Sequence, residues 1–117
     1  MPPALFRGAR LLEFGPDAGE NSLVFALWGA DCTLAEPNRK AHDTIHNYFS
    51  KFALTEQLCE LRSEDVVEFP VPSCDAERFD VVDAEGFIYT IQPTRLWLEK
   101  CAQLTRPGGF LVIFHCE

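Results

Sequence analysis

The feature that most constrains this chain is an alternation: short apolar runs of strand length are each followed by a turn and a segment with helical spacing. Arg10-Leu-Leu-Glu-Phe14 reads as a buried strand and Gly15 to Gly19 as a glycine-bearing turn. Glu20 to Trp28 reads as a helix with Asn21 or Ser22 serving its N-terminus and Gly29 ending it. Asp31 to Ala35 is a second strand, and Arg39 to Phe52 places Ala41, Ile45, Tyr48, Phe49 and Phe52 at helical spacing. Leu58 to Arg62 is a weaker third strand, and Ser63 to Arg78 is loop with at most a helical turn. Phe79 to Asp83 makes a fourth strand, and Pro93 to Thr105 an amphipathic helix that stops at Pro107-Gly-Gly109. Phe110 to Phe114 is a fifth strand, apolar without alternation, as in a strand covered on both faces. Such an order implies an α/β protein with a mostly parallel sheet joined by right-handed crossovers, in one domain over residues 1–117.

Composition removes several classes of partner. A formal charge of −8 argues against a phosphate-binding surface, because nucleic-acid affinity comes largely from Lys and Arg, so no nucleic-acid partner is expected. No run reaches the length of a membrane span and the N-terminus lacks the order of a signal peptide, so no membrane partner and a cytoplasmic location are expected. The five cysteines, Cys32, Cys59, Cys74, Cys101 and Cys116, form no C-x-x-C pair, and most read as small buried hydrophobes. His42 and His46 share a helix face at i, i+4 with no further ligand near in sequence, so a solvated face is expected rather than a metal site. Trp28 and Trp97 read as core or rim residues, and the acidic run from Glu56 to Glu68 as a solvated face.

In open parallel sheets ligands bind beyond the carboxyl ends of the strands, near the point where strand order reverses, and the first strand-turn-helix commonly lies there. That assigns Glu13, Gly15, Asp17 and Gly19 to the site, with Glu36, at the end of the second strand, placed to accept from ribose hydroxyls. Both S-adenosyl-L-methionine and a dinucleotide such as NAD meet this pattern. Charge separates them: Glu13, Asp17 and Glu20 would repel a pyrophosphate, and Pro16 removes one amide donor from the loop. A sulfonium and an ammonium suit an acidic loop.

The motifs resemble those of the class I S-adenosylmethionine-dependent methyltransferases, in order and over nearly the whole chain. Glu13-Phe-Gly15-Pro-Asp17-Ala-Gly19 is similar to the family's acid-x-Gly-x-Gly-x-Gly motif, with Asp17 where the middle glycine is usual. Glu36 matches the acid that ends the second strand. Ser63-Glu64-Asp65 falls where the family has an acidic step near the adenine amino group, at either Glu64 or Asp65. Phe79-Asp-Val-Val-Asp83 resembles the fourth-strand motif, and Leu104-Thr-Arg-Pro-Gly-Gly-Phe-Leu-Val112 the approach to the fifth strand.

The resemblance implies a Rossmann-like three-layer sandwich with strand order 3-2-1-4-5. It implies S-adenosyl-L-methionine as cofactor, with Asp83 also in the cofactor shell, and methyl transfer to a small-molecule or protein acceptor. Asp83 or Glu85 could serve as general base if the acceptor must lose a proton; otherwise no catalytic residue is assigned. Family members normally continue past the fifth strand, whereas this sequence stops at His115-Cys-Glu117. A fragment, a split half or a reduced module is therefore expected, with a noncatalytic cofactor-binding or protein-interaction module as the alternative. An uncovered edge on the fifth strand would favour a homodimer or a covering partner chain.

Overall fold

The computed structural model describes residues 3–16, 19–84 and 94–113. Five parallel strands, β1 (Arg10–Phe14), β2 (Asp31–Ala35), β3 (Leu58–Arg62), β4 (Phe79–Ala84) and β5 (Thr105–Ile113), form one sheet in the order β3-β2-β1-β4-β5. Helices α1 (Glu20–Leu27) and α2 (Lys40–Lys51) connect the first three strands, and α3 (Thr94–Leu104) precedes β5. Short 3-10 turns at Pro3–Phe6, Thr55–Gln57 and Asp75–Glu77 complete the described elements. This is the α/β Rossmann-like arrangement and the strand order expected from the motifs.

Alternation along the strands divides the core in two. On one face Leu11, Cys32, Leu34 and Val81 pack with Ala26 of α1, Ile45 and Phe49 of α2, and Phe6 from the N-terminal turn. On the other, Leu12, Phe14, Val82 and Ala84 pack with Trp97, Cys101 and Leu104 of α3 and with Val66 and Phe69 of the segment before β4. The two predicted tryptophan roles separate here: Trp97 is fully buried, whereas Trp28 caps the end of α1 and is 37% exposed. The cysteines divide as well, Cys32 and Cys101 being buried and Cys59 and Cys74 exposed, so burial accounts for only two of the four described thiols. Cys116 lies outside the described residues.

The fifth strand departs from expectation at both ends of its argument. It begins at Thr105 rather than Phe110, because Thr105 pairs with Phe79 before regular pairing resumes at Val81–Phe110. Between these pairs Arg106-Pro-Gly-Gly109 stands opposite Asp80 alone, a bulge that suits a proline with no amide to donate. A Cβ on Gly109 would sit 2.6 Å from the Asp80 carbonyl oxygen, so only glycine permits that approach. Nor is β5 covered on both faces: Phe110 and Ile113 are 45% and 37% exposed, while Leu111 and Val112 alone pack against the two cores. Phe114 lies outside the described residues.

Asp80 ties this bulge to the first strand. Its Oδ2 accepts from the Arg10 amide at 2.8 Å, and its Oδ1 accepts from the Arg106 guanidinium. Burial opposes the charge on Asp80, but the Arg10 amide and the Arg106 guanidinium outweigh it and hold the carboxyl below the usual range. A carboxyl depressed in the folded state stabilises fully above its unfolded pKa and loses that contribution as pH falls through the folded one. Asp80→Asn is therefore expected to unfold more easily than the parent at neutral pH, with the gap closing below about pH 4, the ordinary carboxylate range. Chemical unfolding across pH reads this; a gap that stays constant would show that the carboxylate charge is not what holds the bulge.

Candidate functional site

Two adjacent strands carry an acid at their penultimate position. Glu13 of β1 and Asp83 of β4 are partners in the parallel register, so their side chains leave the same face of the sheet, and both are buried, at 3% and 0% exposure. That face is the one packed by α1. The helix supplies a group for it: the buried Ser22 hydroxyl donates to the Glu13 carboxylate. Ser22 thus does not cap α1, as its position suggested; the N-cap is Gly19, with no side-chain hydrogen bond. Sequence reasoning missed this use of Ser22, and its only signal was a small polar residue set among Leu23, Phe25 and Ala26 on an otherwise apolar helix.

The turn between β1 and α1 is held by its glycines. Gly15 has φ 65°, and its amide donates to the Ala35 carbonyl at 2.9 Å, tying the turn to the end of β2. Gly19 has φ 85°, donates to the Pro16 carbonyl at 2.9 Å, and accepts from the Leu23 amide. A Cβ there would lie 3.3 Å from Cγ1 of Ile45 on α2, so helix packing and backbone conformation both demand glycine. Asp17, expected within the same turn, and Glu85, considered as a base, lie outside the described residues.

Glu36 follows β2 directly and is 8% exposed. Its Oε2 accepts from the Asn38 amide at 2.9 Å, and its carbonyl oxygen lies 2.8 Å from Nε2 of His42, which must donate. His42 is thereby engaged with the end of β2 rather than simply solvated.

The acidic step after β3 has local partners at both positions. The Arg62 guanidinium donates to Glu64, and this hydrogen bond, outweighing the desolvation that opposes it, holds the Glu64 carboxyl below its usual range. Arg62 also lies over the Phe69 ring, 4.8 Å from its centroid. Asp65 and Glu68 bond each other's amides, Glu68 N to Asp65 Oδ1 at 2.9 Å and Asp65 N to Glu68 Oε1 at 3.5 Å, which is a capping box on the following turn. The structure thus brings Glu13, Gly15, Gly19, Glu36 and Asp83 to the carboxyl ends of β1, β2 and β4, with Glu64 and Asp65 beyond β3, two strands from β1. Two clefts elsewhere, of about 330 Å³ beside Arg10, Phe69 and Phe79 and about 230 Å³ beside Leu5, Asp80 and Arg106, include none of these acids.

A family described as a methyltransferase domain matches residues 1–114. The ubiquinone biosynthesis O-methyltransferase of Cereibacter sphaeroides is 28% identical over 110 residues, which are 94% of this chain and 42% of that protein. A SAM-dependent methyltransferase from Thiobacillus denitrificans, solved in complex with S-adenosyl-L-homocysteine, superposes with a TM-score of 0.78 at 19% identity, covering 95% of this chain and 44% of that one. The cyclase SpnF superposes with a TM-score of 0.79, also at 19% identity, over 92% of this chain and 38% of its own. The chain spans about two fifths of the length of these proteins.

Gly19→Ala is expected to destabilise the fold by roughly 1–2 kcal/mol, the cost of a left-handed residue carrying a Cβ, with the Ile45 contact adding to it. Urea unfolding measures it; an unchanged midpoint would show that the turn relaxes into another conformation.

Proposed function

The chain belongs to the methyltransferase-domain family, and from that premise we propose that it is the cofactor-binding core of an S-adenosyl-L-methionine-dependent methyltransferase acting on a small-molecule or protein acceptor. The observation that carries this reading is the set of buried acids, Glu13, Glu36 and Asp83, at the carboxyl ends of three adjacent strands around a glycine turn. A pyrophosphate placed beside them would be repelled by several kcal/mol at an effective dielectric of about 20, which disfavours a dinucleotide. The cofactor's ammonium and sulfonium are favoured by the same charges. Glu36 would accept from the ribose hydroxyls, Glu13 and Asp83 would face the ammonium, and the Glu64–Asp65 step would lie toward the adenine. The bound cofactor supplies an electrophilic methyl group, so the protein's task is chiefly to align an acceptor with it. Because the cyclase SpnF shares this fold, the fold does not itself dictate methyl transfer; a module that binds the cofactor without turnover is the alternative.

The described thiols are all free, which fits a reducing compartment such as the cytoplasm. Among the described residues no helix is long and apolar enough to cross a membrane.

S-adenosyl-L-homocysteine at about 100 times its Kd is expected to stabilise the fold by about 2.7 kcal/mol, read as a rise in Tm, and NAD is expected to leave it unchanged. A shift with NAD alone would overturn the reading. Glu36→Ala is expected to weaken binding by about 1.5–3 kcal/mol, the range for a hydrogen bond to a charged group. Glu36→Gln retains an acceptor for the Asn38 amide and so separates the ligand's loss from any change in the turn. Unchanged affinity in both variants would remove Glu36 from the site.

The exposure of Phe110 and Ile113 on opposite faces of β5, the last strand in the described order, supports a second copy or a partner chain pairing along it. Light scattering at micromolar concentration is expected to show a dimer, and Phe110→Lys to lower the mass; a monomer throughout would end that proposal.

A further inference from the structure

Residues 65–69 form one helical turn between β3 and β4, closed by the Phe69 amide donating to the Asp65 carbonyl at 3.0 Å. Asp65 opens the turn through its capping box with Glu68, and Val66 and Phe69 are buried in the core that also holds Trp97, Cys101 and Leu104 of α3. A single turn has no next turn whose amides could bond its last carbonyls. Those carbonyls are met from α3: Lys100 Nζ donates to the Val67 carbonyl at 3.0 Å and to the Phe69 carbonyl at 2.8 Å. Lys100 follows Trp97 by three residues and precedes Cys101, at the rim of the buried stripe of α3, where a long stem can follow apolar surface and still deliver its ammonium to the backbone. Among the described residues Lys100 forms no ion pair with a carboxylate, so its charge goes to these two carbonyls. A cation at the C-terminal end of a turn also suits the turn's dipole.

We infer that Lys100 is a positioning residue for the adenine side of the site: it holds the turn that Asp65 opens, and through that turn sets how strongly the exocyclic amino group of the ligand is preferred. This rests on the cofactor reading above. The two acids of the step after β3 are not equivalent. Glu64 is engaged by the Arg62 guanidinium, whereas Asp65 has no cation beside it among the described residues, and its Oδ1 takes the Glu68 amide. A carboxylate without a cation partner suits an N–H donor on a ligand. It discriminates only if it is already held in place, because a mobile turn would spend part of the contact on becoming ordered. Val66 and Phe69 anchor the apolar side of the turn, and Arg62 lies over the Phe69 ring. Lys100 fixes the backbone itself, at the end opposite Asp65, so the capping box and the ammonium between them hold both ends. Helix α3, which carries none of the site acids, thereby takes part in selecting the base.

The test compares two ligands that differ at one position of the base. S-adenosyl-L-homocysteine and S-inosyl-L-homocysteine share the ribose, thioether and amino acid, but the second carries a carbonyl where the first has the amino group. Calorimetry on the parent chain is expected to show a preference for the adenosyl ligand of about tenfold or more, as for a hydrogen bond to a charged group. Lys100→Met keeps an apolar stem and loses the donors. It is expected to lower that preference by about two- to tenfold, the range for ordering one more group on binding, chiefly by weakening the adenosyl ligand. Lys100→Arg, which can still donate to both carbonyls, is expected to keep the preference near that of the parent. Equal weakening of both ligands in Lys100→Met would show that Lys100 supports the fold as a whole and would overturn the inference, as would an unchanged preference or a failure of Lys100→Arg to retain it. Should Lys100→Met not fold, Lys100→Gln, with one neutral donor, reads the same ratio; a smaller fall is expected, and an unchanged ratio overturns the inference. Equal binding of the two ligands by the parent chain overturns the inference and the adenine assignment but leaves the cofactor reading standing. Binding of neither ligand overturns the cofactor reading and the inference with it.

Discussion

Everything in this structure depends on β1 being satisfied on four sides. Its backbone pairs with β2 on one edge and β4 on the other, and its side chains alternate between two apolar cores, so Leu11 and Leu12 are both fully buried on opposite faces. A strand in that position has no room for polarity except at its end, where the helix and the turn leave the sheet. Glu13 occupies that end, and Asp83 occupies the matching place on β4. The acids therefore sit where the layered fold allows them, and the core upstream fixes them relative to each other to within the spacing of a strand pair.

The turn after β1 extends the same constraint outward. The amide of Gly15 is spent on the Ala35 carbonyl, which couples the turn to β2, and Gly19 takes a left-handed conformation against Ile45. The glycines thus serve packing before they serve any ligand. Glu36 likewise closes its own turn through the Asn38 amide while holding an acidic position at the end of β2. Structural and functional demands fall on the same residues here, which is why their substitution has to be read with a variant that preserves the turn.

At the opposite end of the sheet the constraint is different. Asp80 gathers the start of β1 and the bulge of β5 by accepting from the Arg10 amide and the Arg106 guanidinium. Four residues of β5 pass opposite one of β4, so the sheet absorbs Pro107 without losing the pairing of Val81 with Phe110. The cost of the bulge is borne far from the acids, and the regular register from Val81 to Ala84 carries Asp83 into place.

Periodicity and turn chemistry were enough to place the first four strands and the three helices within a residue or two, because buried strands read as apolar runs and amphipathic helices as spaced ones, whereas the fifth strand begins five residues before the apolar run that marked it. The acids at strand ends were legible for the same reason: Glu13, Glu36 and Asp83 interrupt apolar sequence. The family motifs supplied the strand order, since no local pattern encodes which strands lie side by side. Only the tertiary structure decided that Ser22 turns inward to Glu13 instead of capping its helix, that Asp65 forms a capping box with Glu68 while Glu64 goes to Arg62, and that β5 leaves Phe110 and Ile113 exposed. Each of these is a choice between partners that are equally available to the residue locally. The choice is made by which groups the packed sheet brings within hydrogen-bonding distance, a quantity that sequence spacing does not contain.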